Sequence, residues 1–416
     1  MSLLYNIAMA IYTMAIGVAG LSNAKARLWS KGRKGLLRSI EHTVRPNDHI
    51  VWIHAASLGE FEQGRPIIEH LKASKPDCKI LLTFFSPSGY EIRKNYPLAD
   101  YVFYLPADRP HNVRRFLDAV KPEVAIFIKY EFWLNYLAEL RRRNIATYLV
   151  SAIFRPRSIF FRPWGKAWRK ALHGYEHIFV QDSASEQLLH NIGVERVSVA
   201  GDTRFDRVRD IAREAKPIPV IAHFKGESDL LVAGSTWPKD EELLIELANR
   251  NPTIRLVIAP HEMDEQRIER LVHNIRGGAR RYTSSTAESD FRNTQVLILD
   301  TIGLLSSVYA YARWAYIGGG FGVGIHNTLE AATYGLAIAF GPNYHKFQEA
   351  KDMIALGVAT CVRSSDELNN WLTALRESQR YDKLRSEALR YTESRCGATQ
   401  LVVDKVLAHK KGVTKK

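Results

Sequence analysis

From residue 48 onward the chain alternates short, almost wholly apolar runs with longer amphipathic stretches. IVWIHAA (50–56), KILLTF (79–84), YVFYLP (101–106), VAIFI (124–128), ATYLVS (146–151), HIFV (177–180) and VSVA (197–200) are predicted strands. Their apolar character is continuous rather than alternating, the pattern of strands buried on both faces of a parallel sheet. Helical segments such as 60–74, 111–120 and 132–143 lie between them, which is the repeating βαβ signature of a doubly wound α/β fold. A second series follows AREAKPIPVI (212–221), a Pro-containing stretch that reads as a linker. Its predicted strands are DLLVAG (229–234), RLVIAP (255–260), QVLILD (295–300), WAYIGGG (314–320) and LAIAF (336–340). Two Rossmann-like halves predict a cleft between them, with ligands beyond the carboxyl ends of the strands.

The N-terminus departs from this pattern. No charged residue occurs from Met1 to Ala24, and the apolar run from Leu3 to Leu21 is just long enough to cross a bilayer, which takes ~20 residues. Lys25, Arg27, Lys31, Arg33, Lys34 and Arg38 follow it, and such a cluster keeps its side of a membrane cytoplasmic. A cleaved signal peptide carries its positive charge before the apolar run instead. The expectation is an apolar anchor helix over 1–24, spanning the bilayer or lying in its interface; the alternative is a buried N-terminal helix. A first Rossmann-like domain over 25–211 and a second over 212–416 would follow.

Charge sharpens the membrane reading. The chain has 416 residues and a net charge of +14. Residues 25–45 and 154–170 each carry net +6 and residues 405–416 net +5, so the basicity sits in patches that attract anionic surfaces. With 46% apolar and 25% charged residues, the composition excludes a disordered chain, a collagen-like repeat and a polytopic membrane protein. Cys78, Cys361 and Cys396 are few, odd in number and far apart, which argues against a disulfide framework or a cysteine zinc site and for a reducing compartment.

Four features carry candidate chemistry. In HAASLGEFEQG (54–64), Glu60 opens a helix directly after a strand, where unpaired N–H groups favour a carboxylate. It can serve there as a general base or simply as a capping group. In IKYEFW (128–133) a second strand end delivers Glu131, beside Lys129 and Tyr130. In YIGGGFGVGIHNTLEAATYG (316–335) glycines let the backbone approach a ligand, and a helix starting near His326–Asn327 would point N–H groups at a phosphate. Glu330 could there accept hydrogen bonds from a ribose. This run follows the fourth predicted strand of its half and lacks GxGxxG at a first βα turn, which favours a nucleotide-sugar over NAD. In FRPRSIFFRPWGKAWRK (154–170) six cations alternate with aromatic rings, suiting lipid phosphates at a membrane interface. Stacking on single-stranded nucleic acid would use the same residue types. Lesser candidates are AGSTWPKDEE (233–242), IAPHEMDE (258–265) and GDTRFD (201–206), where Arg204 could stabilise a departing phosphate.

HAASLGE, KYEFW, GDTRFD and the glycine stretch ending in HNTLEAA, in this order and spacing, resemble the 3-deoxy-D-manno-octulosonic acid (Kdo) transferases of lipopolysaccharide assembly. The resemblance implies a GT-B fold with an acceptor-binding first domain and a CMP-Kdo-binding second domain. It implies an inverting, metal-independent transfer of Kdo from CMP-Kdo to a lipid A precursor at the cytoplasmic face of the inner membrane. Glu60 matches the family's general base, and Glu131 and Arg204 its auxiliary catalytic positions. Pro260 and His261, Ile302, Gly303 and Leu304, and Asn327, Thr328, Leu329 and Glu330 match its CMP-contacting segments. Arg204 stands where many members carry Lys, and Pro260 where many carry Arg. Arg155, Arg157, Arg162 and Lys166 are the expected contacts to acceptor and anionic membrane lipids. No metal, cofactor or nucleic-acid partner is expected. The alternatives are another GT-B enzyme or an epimerase using a UDP-sugar, and a membrane-bound nucleic-acid-binding protein.

Overall fold

The computed structural model describes residues 3–376 and 381–413, except for the side chains of 410–413. Of the expected basic tail, Lys410, Lys411, Lys415 and Lys416 therefore lie outside the described side chains. The chain divides into two compact units, residues 1–206 with 396–416, and residues 207–395.

The first unit is built on β1 (Ile50–Ala55), β2 (Lys79–Phe84), β3 (Tyr101–Tyr104), β4 (Val124–Ile128), β5 (Ala146–Ala152), β6 (His177–Val180) and β7 (Val197–Val199). All are parallel, in the order β3-β2-β1-β4-β5-β6-β7. The order reverses between β1 and β4, so the loops after these two strands part and leave room for a ligand. The continuous apolar runs have their expected consequence. Trp52 and Phe127 enter the core on one face of the sheet, and Val51, Ile53 and Ile126 the core on the other.

The second unit repeats the plan with β8 (Leu230–Thr236), β9 (Arg255–Pro260), β10 (Ala279–Arg281), β11 (Val296–Ile298), β12 (Trp314–Ile317), β13 (Ala337–Phe340) and β14 (Ala359–Cys361). Its parallel order is β10-β11-β9-β8-β12-β13-β14, with the reversal between β8 and β12. The short strands β10 and β14 have no counterpart among the predicted runs. With β10 counted, the glycine run follows the fifth strand of its half, and that strand lies beside the first.

Two expectations are corrected. The final helix, Ala398–Val413, belongs to the first unit rather than the second. Val402, Val403 and Val406 enter the core that helix Leu58–Ser74 covers with Phe61, Ile67 and Leu71, and Asp206 accepts the N–H groups of Gly397 and Thr399. The N-terminal helix spans Leu3–Ala19, 17 residues, and at ~1.5 Å per residue falls short of a ~30 Å hydrocarbon layer. Among the described residues no helix is long and apolar enough to cross a membrane. One side of this helix docks on the first unit. Tyr5 donates to Asp108 at 2.6 Å, Asn135 donates to Asn6 at 2.9 Å, and Tyr12 stacks on Phe85. Leu3, Leu4, Ile7, Ile11, Met14 and Val18 remain exposed.

Candidate active site

Glu60 stands in the first turn of helix Leu58–Ser74, just past the carboxyl end of β1. The helix begins at Leu58 with Ser57 as its N-cap, two residues earlier than the sequence reading placed it. The carboxylate reaches back to accept the Ala56 N–H at 2.6 Å, so the capping role is present. Its surroundings do more than cap. Burial, then the charge of Glu131, push the carboxyl up to about 7, against the pull of the Ala56 N–H, Lys129 and the Ser57 N–H. A carboxylate with that balance is suited to accept a proton near neutral pH.

Glu131 lies in the turn after β4, on the other side of the order reversal, and is buried. Lys129 enters this turn with φ of 70°, a left-handed conformation that lysine seldom adopts and that bends the chain away from the strand direction. His54 Nε2 lies 2.8 Å from Glu131 Oε2, the Trp133 indole N–H donates to the same oxygen, and Tyr175 donates to the Glu131 main-chain oxygen at 2.8 Å. The sequence reading left out His54 and Trp133. A histidine near the end of a wholly apolar strand, two residues from Trp52 and so on the same face, was the available signal.

Arg204 belongs to this unit too. Asp202 accepts from its Nε at 2.9 Å and pairs with its Nη2 at 2.8 Å, and Gln63 donates to Asp202 at 3.0 Å. Burial works to raise the Asp202 carboxyl, but the Arg204 charge and the hydrogen bonds outweigh it and hold it low. The guanidinium is thus braced by a buried carboxylate, which sequence reasoning passed over inside GDTRFD.

The basic stretch separates its two residue types. Phe154 and Phe160 pack inward against Phe132, so these rings are core rather than interface. Trp164 is exposed, as are Arg155, Arg157, Arg162 and Lys166. Arg169 is a structural brace, donating to the Phe160 and Arg162 carbonyls. Arg155 lies close enough to Tyr130 to oppose the effect of burial on its hydroxyl.

In the second unit the matched segments follow β9, β11 and β12. Pro260 ends β9, and the His261 N–H donates to the Thr236 carbonyl at 2.9 Å. His261 stacks between Trp237 and His326, at ring-centroid distances of 4.9 and 4.3 Å. Burial and the neighbouring His261 pull His326 down to about 4, so it is neutral at physiological pH. Gly318 passes so close to β8 that a Cβ would lie 2.3 Å from the Ser235 carbonyl oxygen, and Gly319 has φ of 90°. The Gly319 N–H donates to buried Asp240, which also accepts from the Trp237 N–H and the Tyr316 hydroxyl.

Asn327 donates to Glu330 at 2.9 Å and accepts the Leu329 N–H, while Thr328 is buried. The helix here is only Leu329–Ala332, later and shorter than expected. Ser306 donates to the other Glu330 oxygen, tying this segment to the loop of Ile302, Gly303 and Leu304. Ile302 is 87% exposed, and Gly303 has φ of 94°. Among the described residues no group of three or more His, Cys, Asp or Glu side chains stands together as a metal site would require.

A family model described as 3-deoxy-D-manno-octulosonic-acid transferase (kdotransferase) matches residues 27–207. The 3-deoxy-D-manno-octulosonic acid transferase of Rickettsia prowazekii is 28% identical over 374 residues, covering 86% of this chain and 78% of that protein. The transferase of the same name from Aquifex aeolicus is 27% identical over 333 residues, 78% of this chain and 85% of its own. Among solved structures, a UDP-N-acetylglucosamine 2-epimerase described as putative, from Listeria monocytogenes, covers 88% of this chain and 97% of its own with a TM-score of 0.58. Its sequence identity is 12%, so that likeness concerns the GT-B-like fold alone. The matched family segment holds Glu60, Glu131 and Arg204, and the two relatives extend into the second unit; the chain is similar to the 3-deoxy-D-manno-octulosonic acid transferases over most of its length, and these likenesses indicate a glycosyltransferase.

Proposed function

We propose that the protein transfers Kdo from CMP-Kdo to a lipid A precursor, with Glu60 as the general base. The observation that carries this reading is a carboxylate at the β1–β4 order reversal whose burial and acidic neighbour raise it to about 7. An acceptor hydroxyl needs a proton acceptor as its oxygen attacks the anomeric carbon. Glu60 takes that proton while the bond from the anomeric carbon to the CMP phosphate breaks and CMP leaves with the electron pair. One displacement through an oxocarbenium-like state inverts the configuration. Arg204, braced by Asp202, is the cation we assign to the departing phosphate. The segments at Pro260–His261, Ile302–Leu304 and Asn327–Glu330 are assigned to CMP.

The acceptor is an anionic lipid presented by a membrane. The exposed apolar side of the N-terminal helix and the outward cations of residues 155–166 support binding at the cytoplasmic face of the inner membrane, with the helix lying in the interface. The test is incubation with CMP-Kdo and a bisphosphorylated lipid A precursor, followed by mass spectrometry of the lipid, with and without EDTA. The lipid gains Kdo in both arms. An unchanged lipid contradicts the proposed reaction, and loss on chelation restored by Mg²⁺ contradicts its metal independence.

A further inference from the structure

Beneath the two carboxylates lies a buried polar chain that none of the assigned roles uses. It runs across three adjacent strands, β2, β1 and β4. The Trp52 indole N–H can only donate, and it donates to Thr83 Oγ1 at 2.8 Å. That leaves the Thr83 hydroxyl proton for His54 Nδ1, 2.9 Å away. With Nδ1 accepting, the proton of a neutral imidazole sits on Nε2 and points at Glu131 Oε2, 2.8 Å away. The other tautomer would donate from Nδ1 to the Thr83 carbonyl at 3.0 Å, but would take Nδ1 away as acceptor for the Thr83 hydroxyl proton and leave the Nε2 lone pair, beside the carboxylate, with only the Trp133 indole N–H, 3.3 Å away and shared with Glu131. Only the first arrangement satisfies every group with no additional proton. Trp52, Thr83 and His54 are fully buried, so these bonds do not compete with solvent.

We propose that His54 is a positioning residue of the active site, the last donor of a relay Trp52–Thr83–His54 that fixes the Glu131 carboxylate. Its consequence reaches the base through charge. Glu60 is faced by Glu131 and Lys129 from the turn after β4, and by the Ala56 and Ser57 N–H groups at its own helix start. Tyr130, with Arg155 and Asp182 nearby, also senses Glu60. Glu131 in turn is faced by His54 from β1, by Trp133 within its own turn, and by Tyr175 at its main-chain oxygen. Of these, His54 is the donor the relay delivers to the carboxylate. Without it, the carboxylate is free to rotate away, and Glu60 loses part of the negative charge that holds its proton.

The inference rests on Glu60 being the base, so the experiment separates the two. In His54→Leu the acid limb of the kcat/KM profile moves to lower pH by about half a unit or more. His54→Gln, whose amide N–H can replace the Nε2 donor, restores the limb. Adding His54→Leu to Glu131→Gln produces no further shift. An unmoved limb in a variant that melts like the parent, or a full shift persisting in the Glu131→Gln background, overturns the relay. If His54→Leu does not fold, Thr83→Val removes the hydroxyl at constant shape, and the same shift is expected or the proposal fails. ¹⁵N NMR of the parent reads the relay without catalysis: the Nε2–H tautomer is expected at His54, and the Nδ1–H tautomer overturns it. Glu60→Gln decides the other reading, because retention of the acid limb there removes Glu60 as base whatever the tautomer shows.

Discussion

Both units place their conspicuous residues beyond the carboxyl ends of strands at an order reversal, yet the carboxylates at the two reversals stand in opposite surroundings. In the first unit Glu60 is half-buried and Glu131 buried, within reach of each other's charge, and desolvation plus like charge leave Glu60 with a proton to exchange near neutrality. In the second unit the acids are consumed by structure. Asp240 takes two backbone N–H groups and a tyrosine hydroxyl, Glu241 pairs with buried Arg267, and Glu330 takes Asn327 and Ser306. What remains beside them is a ring stack of Trp237, His261 and His326 together with closely packed glycine turns. On the proposed reading, the same fold thus holds the base at one order reversal and the CMP-binding surface, with its acids already hydrogen-bonded, at the other.

The largest test of this contrast is Glu60→Gln. A general base contributes ~10²–10⁴-fold, so kcat falls by that much while CMP titration is unchanged. Near-normal turnover in saturating substrate would remove the distinction between the units. Asp240→Ala tests the other side. Three donors, two of them buried, lose their acceptor, and a loss of about 2–4 kcal/mol in urea unfolding is expected, together with weaker CMP binding. Unaltered stability would mean that Asp240 does not hold the glycine turn in place.

Replacing Arg155, Arg157, Arg162 and Lys166 with Gln sharpens the comparison at the surface. Each cation near an anionic membrane is worth ~1 kcal/mol, so half of the combined effect already weakens binding to anionic liposomes about thirty-fold. Co-sedimentation measures this, and CMP binding is expected to stay constant. Unchanged sedimentation with an unchanged acceptor KM reduces the stretch to a solvated loop around the buried Phe154 and Phe160.

Glu60 also carries a cost to the fold. Its folded pKa of about 7 lies above the unfolded value, so the folded state binds more protons and stability falls as pH rises from about 4.5 to 7. Above 7 the penalty is complete, on the order of 1–3 kcal/mol after allowance for partial exposure. Glu60→Gln is therefore expected to melt higher than the parent at pH 8 and close to it at pH 4.5. Equal melting at both values would show that the site stores no electrostatic strain.

Much of this was legible in the sequence. The strands β1, β2, β4, β6 and β9 are uninterrupted apolar runs, and their pattern alone places them. β10 and β14 escaped because three-residue edge strands such as ARR and ATC have no run to detect. The C-terminal helix was misplaced because its valines fit any apolar face, and nothing local says which unit it covers. The N-terminal run, free of charge, left a spanning and an interfacial anchor equally open, because composition does not say which polar atoms find partners. Tyr5, Asn6 and Tyr12, the polar and aromatic positions within it, are the residues that dock it. At the site, Glu60, Glu131 and Arg204 were visible as acids and a cation at strand ends. Their supporting residues, His54, Trp133 and Asp202, act through contacts between elements distant in sequence, which spacing does not reveal.

The central claim, a desolvated carboxylate serving as base, is tested most directly by the pH dependence of kcat/KM with CMP-Kdo and a lipid A precursor. On the proposed reading ionisation of Glu60 gates the reaction, so log kcat/KM is expected to climb with a slope of about one below a value near 7 and level off above it. A profile flat from about pH 5 to 8, or a limb that persists in Glu60→Gln, would contradict the account.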